Sequence, residues 1–147
     1  MHTNEHAVEI DAPAARVFPY LVESEKRLRW MGALVESEQL TDGPLDVGTV
    51  WRDVFEEHGQ RIELEAELAE LEPGRRLRVR LESRGFDATS TQELEEVGGR
   101  TRVRTLIETE YTMLAARLLS PVVTRHAQKQ LEADLARLKE LVEQDPR

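Results

Sequence analysis

Apolar residues return along this chain with two different periods. Toward the C-terminus, Leu131, Leu135, Leu138 and Leu141/Val142 recur every three or four residues, which sets them on one stripe of an α-helix. The stripe extends upstream through Ala127, Val123/Thr124, Ser120 and Leu119/Ala116, while Lys129, Asp134, Arg137 and Lys139 occupy the opposite face. This predicts a helix from Met113 to about Glu143. Pro121 falls inside it, and a proline removes a backbone donor and crowds the preceding turn. A kink or a fresh helix start is therefore expected there, with a main segment from about Val122 to Glu143.

Upstream the period is two. His6, Val8 and Ile10 alternate with Glu9 and Asp11, the pattern of a half-buried strand. Asp11-Ala12-Pro13 then opens a helix with Pro near its first position. Its apolar face is Val17, Phe18 and Leu21, and Pro19 is expected to bend or shorten it. Ser24-Glu25 begins a second short helix ending at Met31. Six further strands follow, over 33–40, 49–57, 60–71, 75–83, 86–97 and 100–112, each bounded by Gly, Pro or Asp turn chemistry. Such short turns join neighbouring strands as antiparallel hairpins. Two strands separate their faces cleanly. Ile62, Leu64, Ala66 and Leu68 oppose Glu63, Glu65 and Glu67, and Leu77, Val79 and Leu81 oppose Arg78, Arg80 and Glu82. The outward Glu and Arg rows lie on adjacent strands, placed to pair across them. The reading is one α+β domain over 1–147, with seven antiparallel strands in the order β-α-α-β6-α.

The inner face is less uniform. Ser90 and Gln92 share a phase with Leu94, and Thr105, Thr109 and Tyr111 share one with Val103 and Ile107. In the 49–57 strand Trp51, Asp53 and Phe55 lie on one side and Val50 and Val54 on the other; the Trp51 side is read as inward. Polar groups set among aromatic and aliphatic walls suit a ligand pocket. A solid core whose polar groups reach water at strand ends is the alternative, and the pattern alone leaves both open.

Composition narrows the partners. The net charge of −9 and pI near 5.0 argue against nucleic acid or an anionic membrane. Without cysteine there is no disulfide, thiolate metal site or thiol nucleophile. The N-terminus lacks the basic and apolar regions of a signal peptide, and no apolar run is long enough to span a bilayer, so a cytoplasmic protein without stable membrane insertion is expected. The four histidines, His2, His6, His58 and His126, offer no spaced pair on one element, so no metal is expected. There is no phosphate-cradling glycine loop before a helix, and no cofactor is expected. Acid–base candidates are Asp53, Tyr111, His58 and His126. Asp53 is the most suggestive, because desolvation among aromatic rings favours a protonated carboxyl; a strand-edge aspartate in water is its plain reading. His58 precedes Gly59 at a hairpin tip, and His126 borders the apolar stripe.

The order of elements resembles the START-like (SRPBCC) superfamily, in particular its polyketide cyclase/dehydrase and lipid-transport branch. The residues that carry the resemblance are Ile10-Asp11-Ala12-Pro13-Ala14-Ala15-Arg16-Val17-Phe18, Trp30, Val47-Gly48-Thr49 and Glu70-Leu71-Glu72-Pro73-Gly74-Arg75-Arg76-Leu77. Gly98-Gly99-Arg100-Thr101-Arg102-Val103 and Leu138-Lys139 add to it. Pro19 departs from the usual pattern. The resemblance implies a helix-grip fold, a curved sheet around the C-terminal helix enclosing a cavity for a hydrophobic small molecule. It supplies no shared catalytic residue. With the residue pattern it gives a candidate lining of Trp30, Trp51, Phe55, Ser90, Gln92, Thr109, Tyr111, Ser120, Val123 and Ala127. The helix's small upper stripe places this cavity beside its N-terminal half. Three function classes follow: a non-catalytic binder or carrier, a cyclase- or aromatase-type enzyme using Asp53, Tyr111 or His126, and an interaction module. The expected state is a monomer or weak homodimer.

Overall fold

The structure, a computed structural model, describes residues 1–57 and 59–145; His58 lies outside the described residues. The elements run β1 (His2–Ile10), α1 (Ala14–Val22), α2 (Ser24–Trp30), β2 (Leu34–Gln39), β3 (Val50–Glu57), β4 (Gln60–Glu72), β5 (Arg76–Glu82), β6 (Phe86–Val97), β7 (Arg100–Tyr111) and α3 (Leu114–Gln144). The strands form a seven-stranded antiparallel sheet in the order β1-β7-β6-β5-β4-β3-β2. Strands β2 to β7 are thus consecutive hairpins, and β1 is added at the far edge beside β7. A two-residue turn pairs Val97 with Arg100 across Gly98 and Gly99. Both glycines have positive φ, 60° and 79°, as a two-residue hairpin loop that follows the strand twist requires.

Register shifts at Val35 in β2 and Ala69 in β4 increase local twist and help curl the sheet. The β3–β4 register sets Trp51 opposite Ala66, Asp53 opposite Leu64 and Phe55 opposite Ile62. Ala66 and Leu64 are buried, so the Trp51 side is the concave one, as expected. Val54, on the convex side, is nonetheless fully buried. It sits amid the Arg52–Glu36, Arg52–Glu63 and Arg61–Glu36 ion pairs, whose alkyl stems cover it. The outward Glu and Arg rows of β4 and β5 pair as anticipated, through Arg80–Glu67 at 3.2 Å and Arg78–Glu70 at 3.0 Å.

Strand β1 begins four residues before the alternating pattern does. His2 to Glu5 are polar, and what makes them a strand is pairing with Leu106 to Thr109 of β7. Helix α3 also departs from expectation: it is unbroken through Pro121. Pro121 leaves the Arg117 carbonyl without its helical donor, and the Ser120 hydroxyl donates to that oxygen instead at 2.8 Å. Pro19 likewise lies within α1 without ending it.

Helix α3 runs along β1. In its C-terminal half Leu131, Leu135, Leu138 and Val142 are buried against Ile10, Val17, Tyr20, Leu21 and Trp30. Each such side chain contributes roughly 1.5–3 kcal/mol on burial. Polar ties flank this seam on both sides. Lys139 Nζ donates to the Glu9 carbonyl at 2.7 Å, and Glu143 accepts from the Asp11 N–H at 2.8 Å. Across the helix, the Gly32 N–H donates to Asp134 at 2.9 Å. Arg16 caps the C-terminal end, donating to the Val142 carbonyl at 2.7 Å and the Asp145 carbonyl at 2.5 Å, where a cation suits the helix dipole.

Candidate functional site

Under the N-terminal half of α3 the interior changes character. The registers carry one row of concave residues across six strands: His2, Thr109, Ala88, Leu81, Ala66 and Trp51. A second row runs Asn4, Ile107, Ser90, Val79 and Leu68. Of these, Thr109, Leu81, Ile107, Ser90 and Val79 are only half-buried, as are Phe55, Ile62, Phe86 and Tyr111 on the same face. Inward-pointing side chains that remain half-exposed face space rather than close packing. Thr124 of α3 stands over this region. Its carbonyl accepts from the Asn4 amide at 3.0 Å, and the same amide also donates to Gln128 at 3.1 Å.

Two buried polar atoms on the described residues lack any hydrogen-bond partner, Trp51 Nε1 and Thr124 Oγ1. One is on the sheet wall and the other on the helix. An unmet buried donor costs about 1–3 kcal/mol, so native interiors seldom leave one without a partner of some kind.

The expected lining residues divide into three groups. Phe55, Ser90, Thr109 and Tyr111 are concave and half-buried, and Ala127 is half-buried on the matching side of α3. Tyr111 packs edge-on against His2, with ring centroids 5.2 Å apart. Trp51 and Gln92 are concave and buried; Gln92 makes a long hydrogen bond of 3.4 Å to Thr105. The remaining three have other commitments or exposure. The Trp30 ring N–H is spent on the Tyr20 carbonyl at 2.7 Å, which makes it a strut between α1 and α2. Ser120 is buried but spends its hydroxyl on Arg117 of its own helix. Val123 is 42% exposed, because the turn of the helix directs its neighbour Thr124 inward instead.

The acid–base candidates are also resolved in place. Asp53 is fully buried, and neither a strand-edge acid in water nor an isolated carboxyl among rings. Arg27 holds it through two hydrogen bonds, at 2.6 and 3.3 Å, and Ser37 donates to it at 2.8 Å. The Arg27 guanidinium also lies 5.9 Å from the Trp51 ring, a cation–π arrangement. His126 is exposed, on the side of α3 away from the buried stripe. Among the described residues no group of three or more His, Asp or Glu side chains is placed to hold a metal ion.

Sequence reasoning missed Arg27, Ser37 and Asn4, and of the Val123/Thr124 pair on the stripe it took Val123 into the lining. Arg27 shared a helix face with Trp30 and Met31, a signal that was present but outweighed by its charge. Asn4 continued the alternation of His6 and Val8, disguised because its inward side chain is polar. Two surface depressions, of about 270 and about 400 Å3, lie on the convex face around Arg80, Thr89 and Glu108 and at the β3–β4 hairpin. Both are lined mainly by charged residues, away from the concave rows.

The sequence pattern of the polyketide cyclase / dehydrase and lipid transport family matches residues 1–143. The chain belongs to that family. Solved structures share the family's helix-grip architecture at low identity. A START superfamily protein from Mycobacterium smegmatis superposes with a TM-score of 0.82 at 17% identity, covering 98% of this chain and 99% of that one. An aromatase/cyclase from Streptomyces sp. R1128 gives 0.81 at 18% identity, over 99% and 95%. A protein from Thermus thermophilus gives 0.81 at 22% identity, over 95% and 96%. No curated protein matches the chain. No described helix is long and apolar enough to cross a membrane.

Proposed function

We propose that the protein binds and carries an apolar small molecule, lipid-, polyketide- or aromatic-like, between the concave sheet and the N-terminal half of α3. One observation carries this reading. The interior there is lined by half-exposed apolar and hydroxyl side chains, among them Val79, Leu81, Ser90, Ile107 and Thr109. An apolar body with one or two oxygen functions would cover the walls and meet those hydroxyls, the usual make-up of a small-molecule site. Family membership supports the same class of ligand.

The test has two parts. Native mass spectrometry of the purified chain should show a co-purifying apolar molecule. A neutral fluorophore, N-phenyl-1-naphthylamine, should bind saturably, and Ala127→Phe from the helix or Thr109→Trp from the sheet should each weaken it at least tenfold without loss of circular dichroism. Probe binding that ignores both substitutions would overturn the proposal.

A second, catalytic reading rests on Tyr111, a half-buried phenol on the concave face that packs edge-on against His2 and is one of the side chains that serve as general acids. Asp53 does not favour it, being committed to Arg27. Tyr111→Phe should then abolish turnover of a cyclisable substrate while sparing affinity; if both survive, Tyr111 has no catalytic part.

A further inference from the structure

The outward side of the same half-helix carries a feature the ligand site does not use. Leu114 is 72% exposed, Leu118 74%, Leu119 60% and Val122 51%. Met113 and Val123 are exposed beside them. Leu118 and Val122 lie two residues either side of buried Ser120, about 200° around the helix from it, so this apolar face points directly away from the sheet. It is continuous over two to three turns, whereas scattered single apolar residues are what an ordinary surface shows.

Charge is distributed around it in one sense. Between Glu110 and Glu132 there is no acidic residue, while Arg117, Arg125 and Lys129 are all exposed cations, in a chain of net charge −9. Exposed Arg84 stands in the β5–β6 turn, whose Gly85 carbonyl accepts from the Thr112 N–H at 3.0 Å. Along the axis the outward side carries the aliphatic residues together with Arg117 over 113–123, then the cations Arg125 and Lys129, and mixed charge from Glu132 onward, where Arg137 and Lys139 stand among Glu132, Glu140 and Glu143. The aliphatic band is about 15 Å long at 1.5 Å per residue.

We propose that this end of α3 docks on an anionic bilayer surface. Laid flat on the surface, the exposed leucine and valine face would enter the acyl boundary, with Arg117, Arg125 and Lys129 beside it at the level of the phosphates. Apolar residues followed by Lys and Arg are the make-up of an interfacial helix. The alternatives fit less well. A second copy would set the same cationic turns near each other, between two chains that each carry −9. A protein partner is usually gripped by Trp, Tyr or Arg anchors, with Leu and Val under-represented, and this face is Leu and Val. The helix carries no acid between Glu110 and Glu132, and the exposed Glu82, Asp87 and Glu110 near Arg84 stand on the strand ends rather than on the helix face.

The test is flotation of the full chain with vesicles of phosphatidylcholine alone or mixed equally with phosphatidylglycerol. Binding should require phosphatidylglycerol, weaken at least tenfold in 0.5 M salt, and weaken at least tenfold in Leu118→Asp and in the Arg125→Glu/Lys129→Glu pair. The unfolding midpoint and N-phenyl-1-naphthylamine binding without vesicles should be unchanged in Leu118→Asp, which separates this surface from the interior site. Failure of the folded chain to float with phosphatidylglycerol at low salt would overturn the proposal, as would flotation that ignores Leu118→Asp. So would a dimer in sedimentation that Leu118→Asp dissolves, because a second copy would then cover the face.

Discussion

The two halves of α3 belong to one unbroken helix and are built on opposite plans. The C-terminal half turns three leucines and a valine into the core and is tied by side chains to β1, to Gly32 and, through Arg16, to α1. The N-terminal half turns Ser120, Thr124 and Ala127 toward the sheet, with leucines and valines toward solvent. Its ties to β1 are polar, from the Asn4 amide to Thr124 and Gln128 and between Gln128 and the Glu5 backbone. The difference lies in side-chain size on the inward stripe. Large side chains close the gap to the sheet; small ones hold the helix over it without filling it. One half supplies the stability that lets the other keep small and polar side chains toward the sheet.

Four substitutions would break or sharpen that contrast. The largest effect is expected at the wall facing the open half. Arg27→Ala strands the fully buried Asp53 carboxylate and should cost about 3–5 kcal/mol, read as a shift of the urea midpoint. A loss under about 1 kcal/mol would mean that Asp53 finds another donor or a proton. Leu135→Ala, at a position with no exposure, should cost about 2–5 kcal/mol; a smaller loss would show that the anchored half is not close-packed.

Asp134→Asn should stabilise the chain modestly, raising its melting temperature at pH 7. Burial pushes the Asp134 carboxyl up, against the hydrogen bonds from Gly32 and Gln130. A raised carboxyl binds its proton more tightly folded than unfolded. Wild-type stability from this group therefore falls as pH climbs from the ordinary aspartate range through the raised value, and the amide should remove that dependence. An unchanged pH profile would count against it. The smallest effect is expected on the outward face: Leu118→Ala should stay within about 0.5 kcal/mol, and a larger loss would mean that the residue is packed.

Much of the fold was legible because hydrophobic period reports which face is buried. The Ile62–Leu68 and Leu77–Leu81 alternations gave the concave side, and Leu131, Leu135 and Leu138 gave the anchored half of α3. What escaped was polar and inward. Asn4 and Arg27 face the interior because partners far along the chain satisfy them, and periodicity counts such residues as surface. Pro121 misled for a related reason: a serine hydroxyl one residue earlier supplied the missing donor. Val123 and Thr124 differ by one position on a helix, which is 100° of rotation and more than a sequence stripe defines. Of the site, the wall materials were readable, whereas the commitment of Asp53 to Arg27 was not.

The placement of β1 has a consequence for the order of assembly. Strands β2 to β7 pair with immediate sequence neighbours, while β1 pairs only with β7, and its ties to α3 span 120 to 132 residues. Local pairings close at low entropic cost and form early; distant ones wait. Pulse-labelled hydrogen exchange during refolding should therefore protect β4 to β6 before β1, and simultaneous protection would refute that order. On the ribosome, β1 has no partner strand until β7 has emerged, and α3 follows later still. The space between the sheet and the N-terminal half of α3 is thus bounded last, once β1 and α3 have come together.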